Sequence, residues 1–250
     1  MRKSGFTQVY IGIEAASPED LKLYGKNATP LDNERSIQLF KKCDIDVQTG
    51  FMIINPFSTK QTIYENFKFL EKHQISSFDN YTRQTWVLYG TKLYFKCKEK
   101  GLLSEKYSYR NPTAYDFIDP YVSSVSQFFN ETVYHSTLNA EFTNFFDIHT
   151  MIHSLKALFP GYTTHYEEEL KKIEDKLFEV LVDYFRLLYE LYDLPKARAS
   201  FDEFEKKMLG IYQEAKLLRL KVSRNRYFRD YLQGKTMKNK TAITDKKVSL

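Results

Sequence analysis

His149 and His153 stand four residues apart, so one helical face carries both imidazoles, a spacing that can hold zinc. Thr150 follows His149, where a metalloprotease helix has its glutamate. His135 and His165 lie in the same region, but spacing alone supplies no further ligand. The pair therefore reads as a surface face, and no residue is assigned to a metal. Cys43 and Cys97 are the two cysteines, 54 positions apart, and read as small apolar residues. That usage suits a reducing compartment and excludes a disulfide scaffold. No phosphate loop, dinucleotide fingerprint or nucleophile elbow occurs. Arg224-Asn225-Arg226-Tyr227-Phe228-Arg229 interleaves aromatics with cations as single-strand binders do, yet nucleic acid is not the expected partner.

The chain has 250 residues, 42% of them apolar, enough for a real core. Nine glycines and 39 Tyr and Phe argue for much helix. The net charge of +5 is uneven: residues 216–250 carry eleven Lys or Arg against two Asp, leaving the other 215 residues at −4. A basic disordered tail is expected over 233–250. No apolar run approaches membrane-spanning length and no leader follows Met1, so a cytoplasmic protein without membrane partners is expected.

The elements that position chemistry come next. Thr7–Glu14 reads as a buried strand. Ser17 caps a short helix with Pro18 at its first position and Gly25 at its end. Thr29-Pro30-Leu31-Asp32 opens a helix to about Cys43. Asp46–Ile54 is a second strand, with the continuous apolar run of a parallel strand covered on both faces. Ser58 and Gln61 form a capping box for a helix ending near His73. Phe78–Leu88 is read as a third, more polar strand, and Leu93–Lys100 as a helix ended by Gly101. Strands alternating with helices predict parallel pairing. From about Pro120 the pattern is helical. Leu170, Ile173, Leu177, Val180, Leu181, Tyr184, Phe185 and Leu188 recur at helical spacing, and Phe204, Met208, Ile211, Ala215 and Leu218 follow a Ser200/Glu203 capping box. These two helices are expected to pair as an antiparallel hairpin.

Four segments, in this order, resemble the second half of the radical S-adenosylmethionine barrel, in the branch often fused to cobalamin-binding domains. They are Gly12-Ile13-Glu14 with its small followers, Leu23-Tyr24-Gly25-Lys26-Asn27, Gly50-Phe51-Met52-Ile53-Ile54-Asn55-Pro56, and Leu88-Tyr89-Gly90-Thr91-Lys92-Leu93-Tyr94. The resemblance implies an α/β fold, a partial three-unit parallel β/α barrel over residues 1–104, followed by an α-helical C-terminal domain over 105–232. In that family a [4Fe–4S] cluster reduces S-adenosylmethionine, whose radical abstracts a substrate hydrogen. It implies cofactor-binding roles for Glu14, Ser17, Ile53, Ile54 and Asn55 at carboxyl ends of strands, where barrel sites form. Each has a plain alternative: Glu14 as a strand-end ion pair, Ile53 and Ile54 as core. Arg83 and Gln84 either face the barrel interior and meet substrate or lie on a solvated edge.

The family's cluster takes three cysteines spaced Cys-x3-Cys-x2-Cys, which this sequence lacks. Phe57-Ser58 replaces the usual Gly-Glu, and Tyr89 replaces a proline. Three units cannot close a barrel, and an unpaired Thr7–Glu14 edge invites aggregation. The expectation is a fragment, truncated product or half of a split protein. It contributes part of the S-adenosylmethionine and substrate site, is inactive alone, and is partnered by the missing N-terminal half in cis or as a separate chain, with cobalamin a further cofactor. The alternative is a non-catalytic relative that binds protein or nucleic acid.

Overall fold

A computed structural model describes residues 6–159, 163–225 and 229. The basic tail expected over 233–250, and Arg226, Tyr227 and Phe228 of the basic aromatic stretch, lie outside the described residues. Strand β1 (Gln8–Glu14) pairs in parallel with β2 (Asp46–Phe51), Gln8 opposite Asp46 through Gly12 opposite Gly50. The register then slips, so that Glu14 faces Phe51. Between the strands run α1 (Pro18–Leu23) and α2 (Pro30–Lys42). Each starts where its sequence offers a cap and a proline. Ser17 Oγ accepts the Asp20 N–H, and Thr29 and Asp32 cap each other reciprocally. Gly25, at φ +74°, turns the chain after α1, a conformation that favours glycine.

Helix α3 (Lys60–Lys72) follows β2, but its capping box is Thr59 with Thr62, one residue later than Ser58 with Gln61. Ser58 Oγ is occupied elsewhere, accepting the Asn55 N–H at 2.9 Å. The third strand is the main difference from the sequence reading. Phe78–Thr82 is a short helix, α4, and only residues 83–85 run extended beside β2. The Ile53 N–H donates to Arg83 O at 3.1 Å and the Thr85 N–H to Ile54 O at 2.9 Å, a single parallel bridge between Ile54 and Gln84. The cause is spacing: Phe78 and Tyr81, three apart and both fully buried, share one face of a helical turn and not of a strand. The described residues therefore hold a two-stranded parallel sheet extended by one bridge.

Helix α5 (Lys92–Glu99) precedes an irregular stretch. Then come α6 (Pro120–Glu131), a 3-10 turn at Val133–His135, α7 (Leu138–Leu158), α8 (Thr164–Tyr189), α9 (Leu194–Ala199) and α10 (Phe201–Ser223). α8 and α10 are antiparallel: Lys176 reaches Glu214, Lys221 reaches Glu169, and Asn225 reaches Tyr166. Ser200 makes no side-chain cap to α10; its hydroxyl donates back to Lys196 O at 2.9 Å, one turn earlier.

One apolar cluster runs from Ile13 on β1 through Phe67, Tyr81 and Phe129 to Val222 on α10. Tyr81 stacks on Phe185 (5.2 Å between centroids), and the Tyr189 hydroxyl donates to Tyr81 O at 2.6 Å. These contacts pin the sheet side to the helices. A smaller cluster holds Leu23, Val87, Leu93, Tyr94, Cys97 and Tyr115. Cys97 is thus the small apolar residue expected, whereas Cys43 is exposed, because the chain leaves α2 there on its solvent side.

Candidate functional site

The turn after β1 is fixed by a buried polar network. Asn66 Oδ1 accepts the N–H groups of Ala16 (2.7 Å) and Ser17 (2.9 Å). Asn66 Nδ2 and Asn55 Nδ2 donate to the two oxygens of Asp20, at 2.8 and 2.7 Å. Asn33 Nδ2 holds the carbonyls of Ile13 and Ala15. Burial pushes the Asp20 carboxyl above its ordinary pKa, and the two amides oppose that by favouring the anion. Ser17 and Asn55, both fully buried, belong to this scaffold, and Ile53 and Ile54, fully buried, belong to the apolar core.

Above the scaffold lies a cavity of about 1150 Å³. It opens at the carboxyl ends of three parallel segments: Glu14 of β1, Met52 just past β2, and residues 83–86. Glu14 is aimed by its backbone. It sits after the register slip at φ +66°, a conformation that non-glycine residues adopt at a cost and that clusters at functional sites. Its carboxylate folds back over Gly12, where an added Cβ would come within 2.6 Å of Oε1, and pairs with Lys26 at 3.1 Å. Its carbonyl accepts the Met52 N–H at 2.9 Å, tying both strand ends together. Arg83 pairs with Asp79 one turn away. Gln84 Oε1 accepts from Ser126 on α6 at 3.0 Å.

The rest of the wall was not evident from sequence. The Tyr24 hydroxyl bonds Thr85 Oγ1 at 2.8 Å, and the Tyr134 hydroxyl donates to Thr82 O at 2.6 Å. Burial raises both phenols far above the ordinary value, so they stay neutral. Asn130, Asn139 and Phe142 close the side from α6 and α7. The arrangement is a pocket of mixed character, with Glu14 and Lys26 paired in opposite charge and apolar lining from Met52, Trp86, Leu88 and Phe142. Of the residues singled out in sequence, it gathers Glu14, Arg83 and Gln84, and leaves Ser17, Ile53, Ile54 and Asn55 beneath. Lys26, next to the Gly25 turn, was within reach of sequence reasoning; Tyr134 and Asn130 carry no local signal.

The histidine pair is not a surface face. His149 and His153 are partly buried, with His149 beside Gln8 and Asp46 at the strand starts and Glu174 on α8.

No protein-family model matches the chain. An uncharacterized methyltransferase of Pyrococcus horikoshii is 33% identical over 75 residues, 30% of this chain and 16% of that protein. The anaerobic magnesium-protoporphyrin IX monomethyl ester cyclase of Cereibacter sphaeroides is 30% identical over 67 residues, 27% of this chain and 11% of the cyclase. The solved structure of the cobalamin-dependent S-adenosylmethionine radical enzyme OxsB, with aqua-cobalamin and S-adenosylmethionine bound, aligns over 94% of this chain and 39% of its own. Identity there is 16% and the TM-score 0.48; the apo form gives 0.47. The chain resembles radical S-adenosylmethionine enzymes. It spans well under two thirds of each of these relatives. Among the described residues no helix is long and apolar enough to cross a membrane.

Proposed function

We propose that this chain forms one wall of an S-adenosylmethionine and substrate site in a radical S-adenosylmethionine protein whose cluster is held on other strands of the barrel. The observation that carries this is the convergence of Glu14, Met52 and residues 83–86 on one large cavity at strand carboxyl ends. The described residues fit S-adenosylmethionine, a source of a hydrogen-abstracting radical in this family. The Glu14 carboxylate accepts from its hydroxyls or ammonium. Gly12, opposite Gly50, lets the Glu14 carboxylate and Lys26 fold over the strand end beside the cavity. Arg83 and Gln84, across the cavity, take the substrate side. In the assembled barrel, residues 83–88 complete the third stave beside β2.

The chain does not fit the cluster. Three thiolates are needed and there are two cysteines. Cys97 is buried with its thiol pushed up to about 11, which keeps it protonated, and Cys43 is exposed at a helix end remote in sequence. The cluster-bearing strands would pair along β1, which has β2 on one side and no strand on the other among the described residues. Cobalamin enters as a group bound by OxsB, and no residue here is assigned to it. Two reduced cysteines suit a cytoplasmic setting for the assembled protein.

Equilibrium dialysis with labelled S-adenosylmethionine tests the reading. Saturable binding should weaken about tenfold or more in Glu14→Gln, since a charge-assisted hydrogen bond is lost. Equal affinity in wild type and variant would contradict it.

A further inference from the structure

At the opposite end of the sheet, where β1 and β2 begin, three elements bring a second chemistry together. Asp46 opens β2, His149 and His153 share one face of α7, and Glu174 faces them from α8. The carboxylate of Asp46 and one nitrogen from each histidine lie within 4.8 Å of one another. His149 Nε2 is 2.8 Å from Glu174 Oε1. His149 Nδ1 lies 3.4 Å from Asp46 Oδ2. At present the Gln8 amide serves both, 2.9 Å from Asp46 Oδ2 and 3.3 Å from His149 Nδ1. Among the described residues neither Asp46 nor Glu174 has a lysine or arginine within ion-pair distance.

We propose that Asp46, His149 and His153 bind one divalent first-row metal ion, zinc in the simplest case, with Glu174 orienting His149 and a fourth position open to the adjoining cavity of about 310 Å³. Zinc with bonds of about 2.1 Å sets its tetrahedral ligands about 3.4 Å apart. The Asp46–His149 pair already has that separation. The remaining ligand atoms, all within 4.8 Å of one another, close to it by side-chain movement. Carboxylate to histidine to metal is the usual outer arrangement around such ions. Three protein ligands with an open fourth place leave room for water or an anionic ligand from the cavity, which Asp46, His149 and Glu174 line. The site would also tie α7 to the start of β2. It stands independently of the S-adenosylmethionine proposal, because none of Asp46, His149, His153 and Glu174 lines the Glu14 cavity.

The test uses the full chain, stripped with chelator and titrated with cobalt(II), then zinc(II). The expected result is one equivalent of cobalt, visible bands of tetrahedral intensity, and their loss as zinc displaces it. His153→Ala removes a ring contact with His149, and its metal-free melt shows whether it folds. It should lose cobalt affinity about a hundredfold or more. Glu174→Gln should keep the spectrum and weaken binding 10- to 100-fold. His165→Ala, outside the cluster, should change nothing. The proposal is overturned if millimolar cobalt gives no stoichiometric band, if His153→Ala binds as the wild type does, or if His165→Ala abolishes binding.

Discussion

Glu14 combines a costly backbone with an exposed purpose. Glycine at this position would relieve about 1 kcal/mol of left-handed strain. The Lys26 pair it would forfeit is partly exposed and worth at most about 1 kcal/mol. Glu14→Gly is therefore expected to match or exceed wild type in urea denaturation, while Glu14→Ala, which keeps the strain, falls below Glu14→Gly. A glycine variant less stable than the alanine variant would remove the strain argument. Asp20 is the opposite kind of residue. Asp20→Ala strands two buried amide donors and should cost about 2–4 kcal/mol. Its pH dependence has a definite sign. Because the folded carboxyl titrates above 3.8, the stabilisation linked to its proton is full below 3.8 and is lost as pH rises through the folded value. The cost of Asp20→Ala should thus be larger in mild acid than at neutral pH. The family resemblance pointed to Ser17 and Asn55 as ligand contacts; Asp20, close to both, was not singled out, because burial of a charge is not visible in local spacing.

At the scale of elements, most of the sheet side was legible. β1, α1 and α2 begin and end where caps, prolines and Gly25 place them. The third segment was not, because a polar run between two apolar residues fits a poor strand and a buried helical turn alike. Tertiary contact decided it: Phe78 packs near Phe185 and Phe204, and Asn80 Nδ2 donates to Thr49 Oγ1 at 2.7 Å. The bridge after α4 makes a prediction. In hydrogen exchange, the Ile53 and Thr85 amides should be protected to the degree of β2, whereas Trp86, whose side chain is 65% exposed, begins the open part of the stave. Exchange of Thr85 at the rate of an open loop would contradict the parallel placement. On the helical side, the stripe from Leu170 to Leu188 is the inward face of α8 as its period requires, Val180 being partly buried. Phe185→Ala, at its centre, should cost about 3–5 kcal/mol in a denaturant melt.

For the whole molecule, the cavity is a joint product of both halves of the chain. Strand ends supply its charges and α6 and α7 supply its far wall, with Tyr134 reaching Thr82 across 52 positions of sequence. Such pairings have no local periodicity, which is why the opening segments announced a site while its helical wall stayed silent. The central claim is that S-adenosylmethionine lies against the carboxyl ends of β1 and β2, and methionine methyls report on it directly. Met52 borders the cavity and Met208 is fully buried among the helices. In a methyl-labelled chain titrated with S-adenosylmethionine, the Met52 resonance should shift saturably while Met208 stays still, and Glu14→Gln should move the midpoint to about tenfold higher concentration or more. A Met52 signal that does not move, or one that moves equally in the variant, would contradict the account.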